Sequence, residues 1–467
     1  MAYTGAATSL VRNHTLRVPT GEWSGPDSTS ALSYWPPGYP AAIAIPVAAG
    51  ISPIQGGRYV NIAAAAITAA TLFFLIAAAL SPPAGIVGVL VVCATPAVLD
   101  VHLSILSEPL FIALLMLTVA TMVYARDQLL LLGALATAAV MVRYAGACAP
   151  AAVVIWTLLD SRYAPSRRLR RALVTAIPPT LAIVAWIART ALAQDRHGTP
   201  KLAVYGHWTP TIQQARDTFT EWLIPLAPDG TPRQVATAIV ALILTILLLA
   251  TVRDTANSSH RHQSTPAARV ATILGASFVM ACWYLAVVCA SRLFVGATIP
   301  LDWRILSPLI VLLELMIVVS LAYWWRAYHR PMHILVTVLA LAWGIAAAVA
   351  SSNDALEVVT DGSDFGTTAW HDSPTLAWVR AHGTGHTLYS NWPPAVYFHA
   401  HRIARELPDS DEIRHDLPDF ADALRSSNGL IVGFKEPSPD VIAPDSIAKL
   451  LHLRPLATFP DGTIWTP

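Results

Sequence analysis

The chain has 467 residues, 55% hydrophobic side chains and only 13% charged ones, with a mean hydropathy of +0.52. A soluble protein carries about 25% charged residues, so this composition excludes an ordinary cytosolic enzyme, a disordered chain and a nucleic-acid binder. The 30 Lys and Arg against 29 Asp and Glu leave a net charge of +1, too small for a field that steers toward an anionic polymer, while more than half of the acids lie beyond Ala350.

In chain order, residues 1–37 are polar and no signal-peptide core precedes them. Ser33-Tyr34-Trp35-Pro36-Pro37-Gly38-Tyr39-Pro40 reads as a proline-locked aromatic turn at a membrane interface. Tyr39–Ile51 is apolar but too short to span and is interrupted by Pro40 and Pro46. It reads as an interfacial or re-entrant half-helix.

A spanning helix needs about 20 mostly apolar residues. Ten apolar runs follow: Val60–Leu80, Ala84–Leu99, Pro109–Tyr124, Gln128–Met141, Ala145–Leu159, Ala172–Leu192, Val235–Thr251, Val270–Ala290, Ile305–Trp324 and His333–Ala350. Arg126, the cluster Arg162, Arg167, Arg168, Arg170 and Arg171, then Arg253, Arg261 and Arg269, and Arg326 with Arg330 all fall on one side of a ten-span arrangement. The positive-inside rule makes that side cytoplasmic. The stretch from Ser351 to Pro467 alternates strand-like and helix-like pieces and ends in a hairpin turning at Asp461-Gly462. The expected fold class is a polytopic α-helical membrane protein of about ten spans with a small C-terminal α/β extracytoplasmic domain. The regions are 1–58 as first outer loop with half-helix, 59–350 as bundle, and 351–467 as outer domain.

Cys93, Cys148, Cys282 and Cys289 sit in apolar runs without metal spacing and read as small buried hydrophobes. No His spacing makes a metal site, no cofactor is required, and neither a G-x-G-x-x-G nor a P-loop occurs.

The informative residues are ionisable groups beside apolar runs, because charge at that depth is costly and lines cavities. Asp100 and Glu108 bracket a short outer turn that contains His102. Glu108 can also be read as an ordinary acidic helix start. Arg143-Tyr144 lies at the tip of two short helices, and Asp302-Trp303-Arg304 enters the ninth run. An outer-side arginine pairs with an acid or binds an anion. Pairing of Arg304 with Asp302 or Glu314 is the structural alternative. Tyr39 and Trp35 are expected on the wall of a cavity shared by Asp100, Glu108, Arg143 and Arg304. Glu22 and Asp27 lie in the first outer loop.

Pro-Pro-Gly-Tyr-Pro, Arg58-Tyr59-Val60-Asn61, Ser-Glu-Pro-Leu-Phe at 107–111, Arg-Tyr-Ala-Gly at 143–146 and Arg-Ile-Leu-Ser-Pro at 304–308 occur in this order. Together they resemble the bacterial GT-C glycosyltransferases, nearest to the family-39-like and RgtA/B/C/D-like polytopic proteins. The resemblance covers roughly residues 1–350. It implies a hexosyl or pentosyl transferase of the cell envelope. The donor would be a polyprenyl-phosphate-linked sugar and the acceptor an extracytoplasmic glycan, lipid or protein, with inversion at the sugar. In that family an acid of the first outer loop acts as base; the candidate acids in this chain are Asp27 in that loop, and Asp100 and Glu108 at the later outer turn. Arg143, Tyr144, Arg304, Asp302, Tyr39 and Trp35 would hold the donor. The family pattern places a first helix and its acid ahead of Tyr3-Thr4-Gly5-Ala6-Ala7, so this chain alone is expected to lack activity. Rival readings are a flippase for lipid-linked sugars and a non-catalytic membrane partner.

Overall fold

A computed structural model describes residues 1–21, 23–25, 29–193, 204, 208–226, 230–259, 266–295, 299–327, 330–408, 413–438 and 441–467. In chain order the elements are α1 (Ala2–Asn13), β1 (Arg17–Val18), β2 (Ser30–Ala31), α2 (Gly38–Ala48), α3 (Pro53–Ala79), α4 (Pro82–Cys93), α5 (Pro96–Leu103), α6 (Glu108–Tyr124), α7 (Leu129–Val142), a 3₁₀ turn (Tyr144–Ala147) and α8 (Cys148–Leu159). The long helices α9 (Pro165–Leu192), α11 (Thr231–Ser259), α12 (Pro266–Phe294), α13 (Trp303–Ala327) and α14 (Arg330–Asp361) follow, with the shorter α10 (Thr209–Leu223) between α9 and α11. The remainder is α15 (Thr368–His371), α16 (Pro374–His382), β3 (Thr387–Ser390), α17 (Pro393–Ala400), β4 (Ala404–Glu406), α18 (Ile413–Ser426), β5 (Gly429–Phe434), α19 (Pro444–Leu450), β6 (Arg454–Thr458) and β7 (Gly462–Thr466). The chain divides into two compact units: 57–187 with 200–357, and 1–56 with 188–199 and 358–467.

The first unit is the membrane bundle of a multi-pass protein. Each of the ten apolar runs lies in helix, but they are not ten equal spans. Among the described residues five helices are long and apolar enough to cross a bilayer, or six if α4 and α5 count as one broken span. The helices α6 and α7 and the stretch Tyr144–Leu159 fall short of that length. The run expected as Ala84–Leu99 is bent by 69° between α4 and α5. Pro96, which lacks an N–H, cannot continue the ladder, and Thr95 is extended there. Burial grades the helices. Of the apolar stretch of α13, 72% is buried, against 6% for α11, so α13 is the central packing helix and α11 turns to lipid. Helix α6 buries Phe111, Ile112, Leu115, Met116 and Val119 completely. Arg269 and Arg326 donate to the carbonyls of Ala78 and Leu80, at 2.7 and 2.6 Å. Cations thus cap the C-terminal end of α3, where the helix dipole is negative. Helix α14 runs on to Asp361, so the boundary expected at Ala350 falls inside a helix.

The second unit carries the α/β domain. Its sheet order is β4-β3-β5-β7-β6, with β3 parallel to β4 and β5, and β7 antiparallel to β5 and β6. Alternation sorts the strands onto two faces. Leu388, Leu430, Val432 and Ile464 pack on one, with Leu376 and Val396. Tyr389, Ile431 and Trp465 pack on the other, with Phe420, Leu424 and Ile447. The Asn428-Gly429 pair leads into β5, with Asn428 at φ 49°. In the same unit the polar start of the chain is a helix, α1, packed with α2. A Cβ on Gly5 would overlap the Pro19 ring. Arg189 donates to the carbonyls of Leu32 and Leu16, tying it to the chain around β1 and β2.

Candidate functional site

The site begins with one carboxylate. Glu108 opens α6 behind Ser107, next to Pro109, where an acid meets the positive end of the helix. Its side chain is 1% exposed. A buried carboxylate is tolerated only when it is paired and hydrogen-bonded. Arg143 Nη1 lies 2.5 Å from Glu108 Oε1 and also donates to Ser107 Oγ at 3.0 Å. Arg304 Nε lies 2.9 Å from the same Oε1. Ser107 Oγ donates to Oε2 at 3.3 Å. One carboxylate therefore gathers two guanidinium groups from two other helix ends.

Local structure explains the reach of each arginine. Arg143 ends α7 in an extended conformation, and the chain re-enters helix at once through Tyr144–Ala147. Gly146 permits this reversal, because a Cβ there would overlap the Ala139 carbonyl of α7. Arg304 sits in the first turn of α13, which Asp302 caps by accepting the Ile305 N–H at 3.0 Å. The ring of Tyr284, fully buried, donates its hydroxyl to the Ile305 carbonyl at 2.5 Å and packs on Phe111, with 5.9 Å between ring centroids. This links the starts of α6 and α13 through α12.

Among the described residues, the positive charge that faces Glu108 comes from these two guanidinium groups. It is not evenly buried: the Arg143 side chain is 14% exposed and that of Arg304 is 42% exposed. The cluster can hold an anion on the Arg304 side, with Arg143 and Glu108 as its rigid base. Tyr144 borders Arg143, half exposed, and accepts the Trp186 indole N–H at 2.9 Å.

Among the described residues, the structure brings Glu108, Arg143 and Arg304 into contact and places Tyr144 and Asp302 beside them in sequence. Asp100, half-buried on α5, forms no ion pair with Arg143 or Arg304 among the described residues. His102 is tied to its own helix, with Nδ1 2.6 Å from the Val98 carbonyl. Tyr39 and Trp35 belong to the other unit. Tyr39 is fully buried against Tyr3 at 5.0 Å, and Tyr3 meets Trp35 at 5.9 Å. Asp27 and Glu22 lie outside the described residues, as does the His260-Arg261-His262 segment. No group of three His, Cys, Asp or Glu lies together among the described residues.

Two features escaped sequence reasoning. Asn61 is 3% exposed and donates to the Ser104 carbonyl at 2.6 Å, fixing the loop that delivers Ser107 and Glu108. Its place in Arg58-Tyr59-Val60-Asn61 was the available signal. Glu314 does not pair with Arg304. It accepts the Trp222 indole N–H at 2.8 Å and the Thr95 hydroxyl, at the break between α4 and α5. An acid in the middle of an apolar run was the signal there.

No family model matches the chain and no curated protein matches it by sequence. Among solved structures it is similar to the oligosaccharyltransferase of Archaeoglobus fulgidus in complex with zinc and sulfate. The TM-score is 0.54 at 10% identity, covering 92% of this chain and 63% of that one. The same organism's AglB, in complex with an inhibitory peptide and a dolichol-phosphate, gives a TM-score of 0.52 at 11% identity over 92% and 65% of the two chains. ArnT from Cupriavidus metallidurans is similar at a TM-score of 0.49 and 11% identity, over 99% and 92%. This chain thus spans less than two thirds of the archaeal enzyme. At these identities the likeness establishes the fold, and it is the GT-C membrane fold.

Proposed function

We propose that this chain is a membrane glycosyltransferase that moves a sugar from a polyprenyl-phosphate carrier to an extracytoplasmic glycan, lipid or protein acceptor. The observation that carries the reading is the buried Glu108 carboxylate holding both Arg143 and Arg304, with the Arg304 side chain partly open. A lipid phosphate is an anion tethered at the membrane surface, and as leaving group it gains charge. Preorganised guanidinium groups stabilise that gain. The dolichol-phosphate bound with the Archaeoglobus fulgidus AglB fits the same chemistry.

The acceptor oxygen attacks the anomeric carbon opposite the phosphate, and the bond from that carbon to the phosphate oxygen breaks. The hydroxyl proton passes to a carboxylate, and configuration inverts. Arg304 contacts the departing phosphate and Arg143 supports it. Glu108 acts as a positioning residue: its oxygens already face Arg143, Arg304 and Ser107. Asp100, which forms no ion pair with these guanidinium groups among the described residues, is the candidate base. Tyr144 and Asp302 shape the rim. Asp27, Tyr39 and Trp35 remain candidates by the family resemblance alone.

The cation-rich ends that cap α3 support a cytoplasmic assignment for that side of the bundle. The domain beyond Asp361 is then extracytoplasmic. A cysteine placed at Ser410 should label from outside and one at Ser166 should not.

The deciding experiment supplies the reconstituted full chain with labelled polyprenyl-phosphate sugars and an acceptor glycan. Transfer with release of polyprenyl phosphate and an inverted anomer supports the proposal. Transbilayer movement of the lipid-linked sugar with no new glycosidic bond would instead establish a flippase, a role for which the broken α4–α5 pair is the favourable feature.

A further inference from the structure

A second charged site lies in the loops joining α6 to α7 and α8 to α9. Arg126, Arg162, Arg167, Arg168, Arg170 and Arg171 share these loops and the first turns of α9 with only Asp127 and Asp160, an excess of four positive charges. Three guanidinium groups crowd one ring. Arg171, Arg167 and Arg162 stand 4.3, 4.7 and 5.2 Å from the centroid of Tyr163. The Tyr163 hydroxyl donates to Asp127 at 2.9 Å, which fixes the ring. Asp127 neutralises Arg171 at 2.7 Å, and Asp160 neutralises Arg162 at 2.7 Å. Arg167 and Arg170 are exposed and have no ion pair among the described residues. Like charges held this close repel unless an anion joins them.

What continues from this cluster names the anion. Helix α9 buries Ala172, Thr175 and Pro179 on one face. On the other it exposes Leu169, Leu173, Ile177 and Leu181, each more than half accessible and spaced four residues apart. That spacing makes one continuous aliphatic stripe along the helix, beginning between Arg167 and Arg170. A free phosphate would use the arginines and ignore the stripe. A phospholipid uses both, with its headgroup at the cations and its acyl chain along the leucines.

We infer that Tyr163 and the arginines around it form a binding site for an anionic phospholipid headgroup, whose acyl chain lies along Leu169, Leu173, Ile177 and Leu181. The site uses none of the residues of the Glu108 cluster, so it stands whether or not the transferase reading does. Arg167 and Arg170 supply the free charge. Asp127, Asp160 and Tyr163 hold the guanidinium groups of Arg162, Arg168 and Arg171 in place.

The test uses the full chain in detergent, loaded with phosphatidylglycerol or phosphatidylcholine and followed by native mass spectrometry during lipid exchange. Phosphatidylglycerol should be retained over phosphatidylcholine. The R167Q/R170Q double variant should bind it about thirtyfold more weakly, from two charges each acting near a membrane surface. Inorganic phosphate should displace no more lipid than sodium chloride at the same ionic strength, whereas rising salt should weaken retention in the wild-type chain. Equal retention of both lipids, undiminished binding by the double variant, or greater displacement by inorganic phosphate than by sodium chloride would each overturn the site. If the double variant is poorly folded, R170Q alone and the wild-type salt series decide the same question.

Discussion

The bundle contains two buried glutamates in contrasting company. Glu108, at a helix start, meets two guanidinium groups and a serine hydroxyl. Glu314, in mid-helix, meets an indole N–H and a threonine hydroxyl, both neutral. The first arrangement gathers charge at one carboxylate, with Arg304 on its more exposed side. The second takes both of its hydrogen bonds on one oxygen and joins three elements, α10, α13 and the α4–α5 break. The same side chain is thus an anchor for two arginines in one place and a structural clamp in the other. The neighbours decide which, since a carboxylate can only accept hydrogen bonds when ionised.

Removing the anchor should have the largest effect. Glu108→Ala leaves two guanidinium groups facing each other without their counter-charge, and should cost about 3–5 kcal/mol. Thermal unfolding in detergent would register this, with Glu108→Gln intermediate. If Glu108→Ala unfolds like wild type, the two arginines do not depend on it and the contrast with Glu314 disappears.

Next comes the open end of the same cluster. Arg304→Gln should lower sugar transfer by about 10²–10³-fold, as loss of one donor to a developing oxyanion does, with little change in unfolding temperature. A change confined to KM would mean that Arg304 binds donor and transition state equally.

The clamp should respond to hydrogen bonding and not to charge. Glu314→Ala leaves the Trp222 N–H and the Thr95 hydroxyl without their acceptor, a loss of about 2–3 kcal/mol. Glu314→Gln keeps an acceptor oxygen and should cost under about 1 kcal/mol, with transfer retained. Equal damage from both substitutions would show that Glu314 needs its charge.

The smallest effect lies at the loop. The Asp160 carboxyl is held below its usual range chiefly by its hydrogen bond from Arg162. A depressed value means that the stabilisation is fully present above about pH 4 and is lost as pH falls through the folded value. Asp160→Asn should therefore lower stability by about 0.5 kcal/mol at neutral pH and flatten the acid limb of the unfolding curve.

Much of this was legible because it is local. Apolar runs gave the long helices, and the strand-like pieces near the C-terminus gave part of the sheet, including the closing hairpin, while the edge strand β4 was not foreseen. The acid at Glu108 and the arginines at Arg143 and Arg304 stood out because charge beside an apolar run is expensive and therefore selected for a reason. The sequence by itself determined that this is a multi-pass membrane protein with an α/β domain, since hydrophobic length and period are properties of consecutive residues. It could not determine which acid would take Arg304. Asp302 is nearer along the chain and Glu314 lies on the same helix, yet Asp302 caps α13, Glu314 turns to Trp222, and Glu108 receives the arginine. Nor could it show that an unbroken apolar stretch bends by 69° at Thr95-Pro96. Those outcomes depend on which helix ends arrive together in three dimensions. There a buried carboxylate takes whichever donors the packing supplies, and no local pattern encodes that choice.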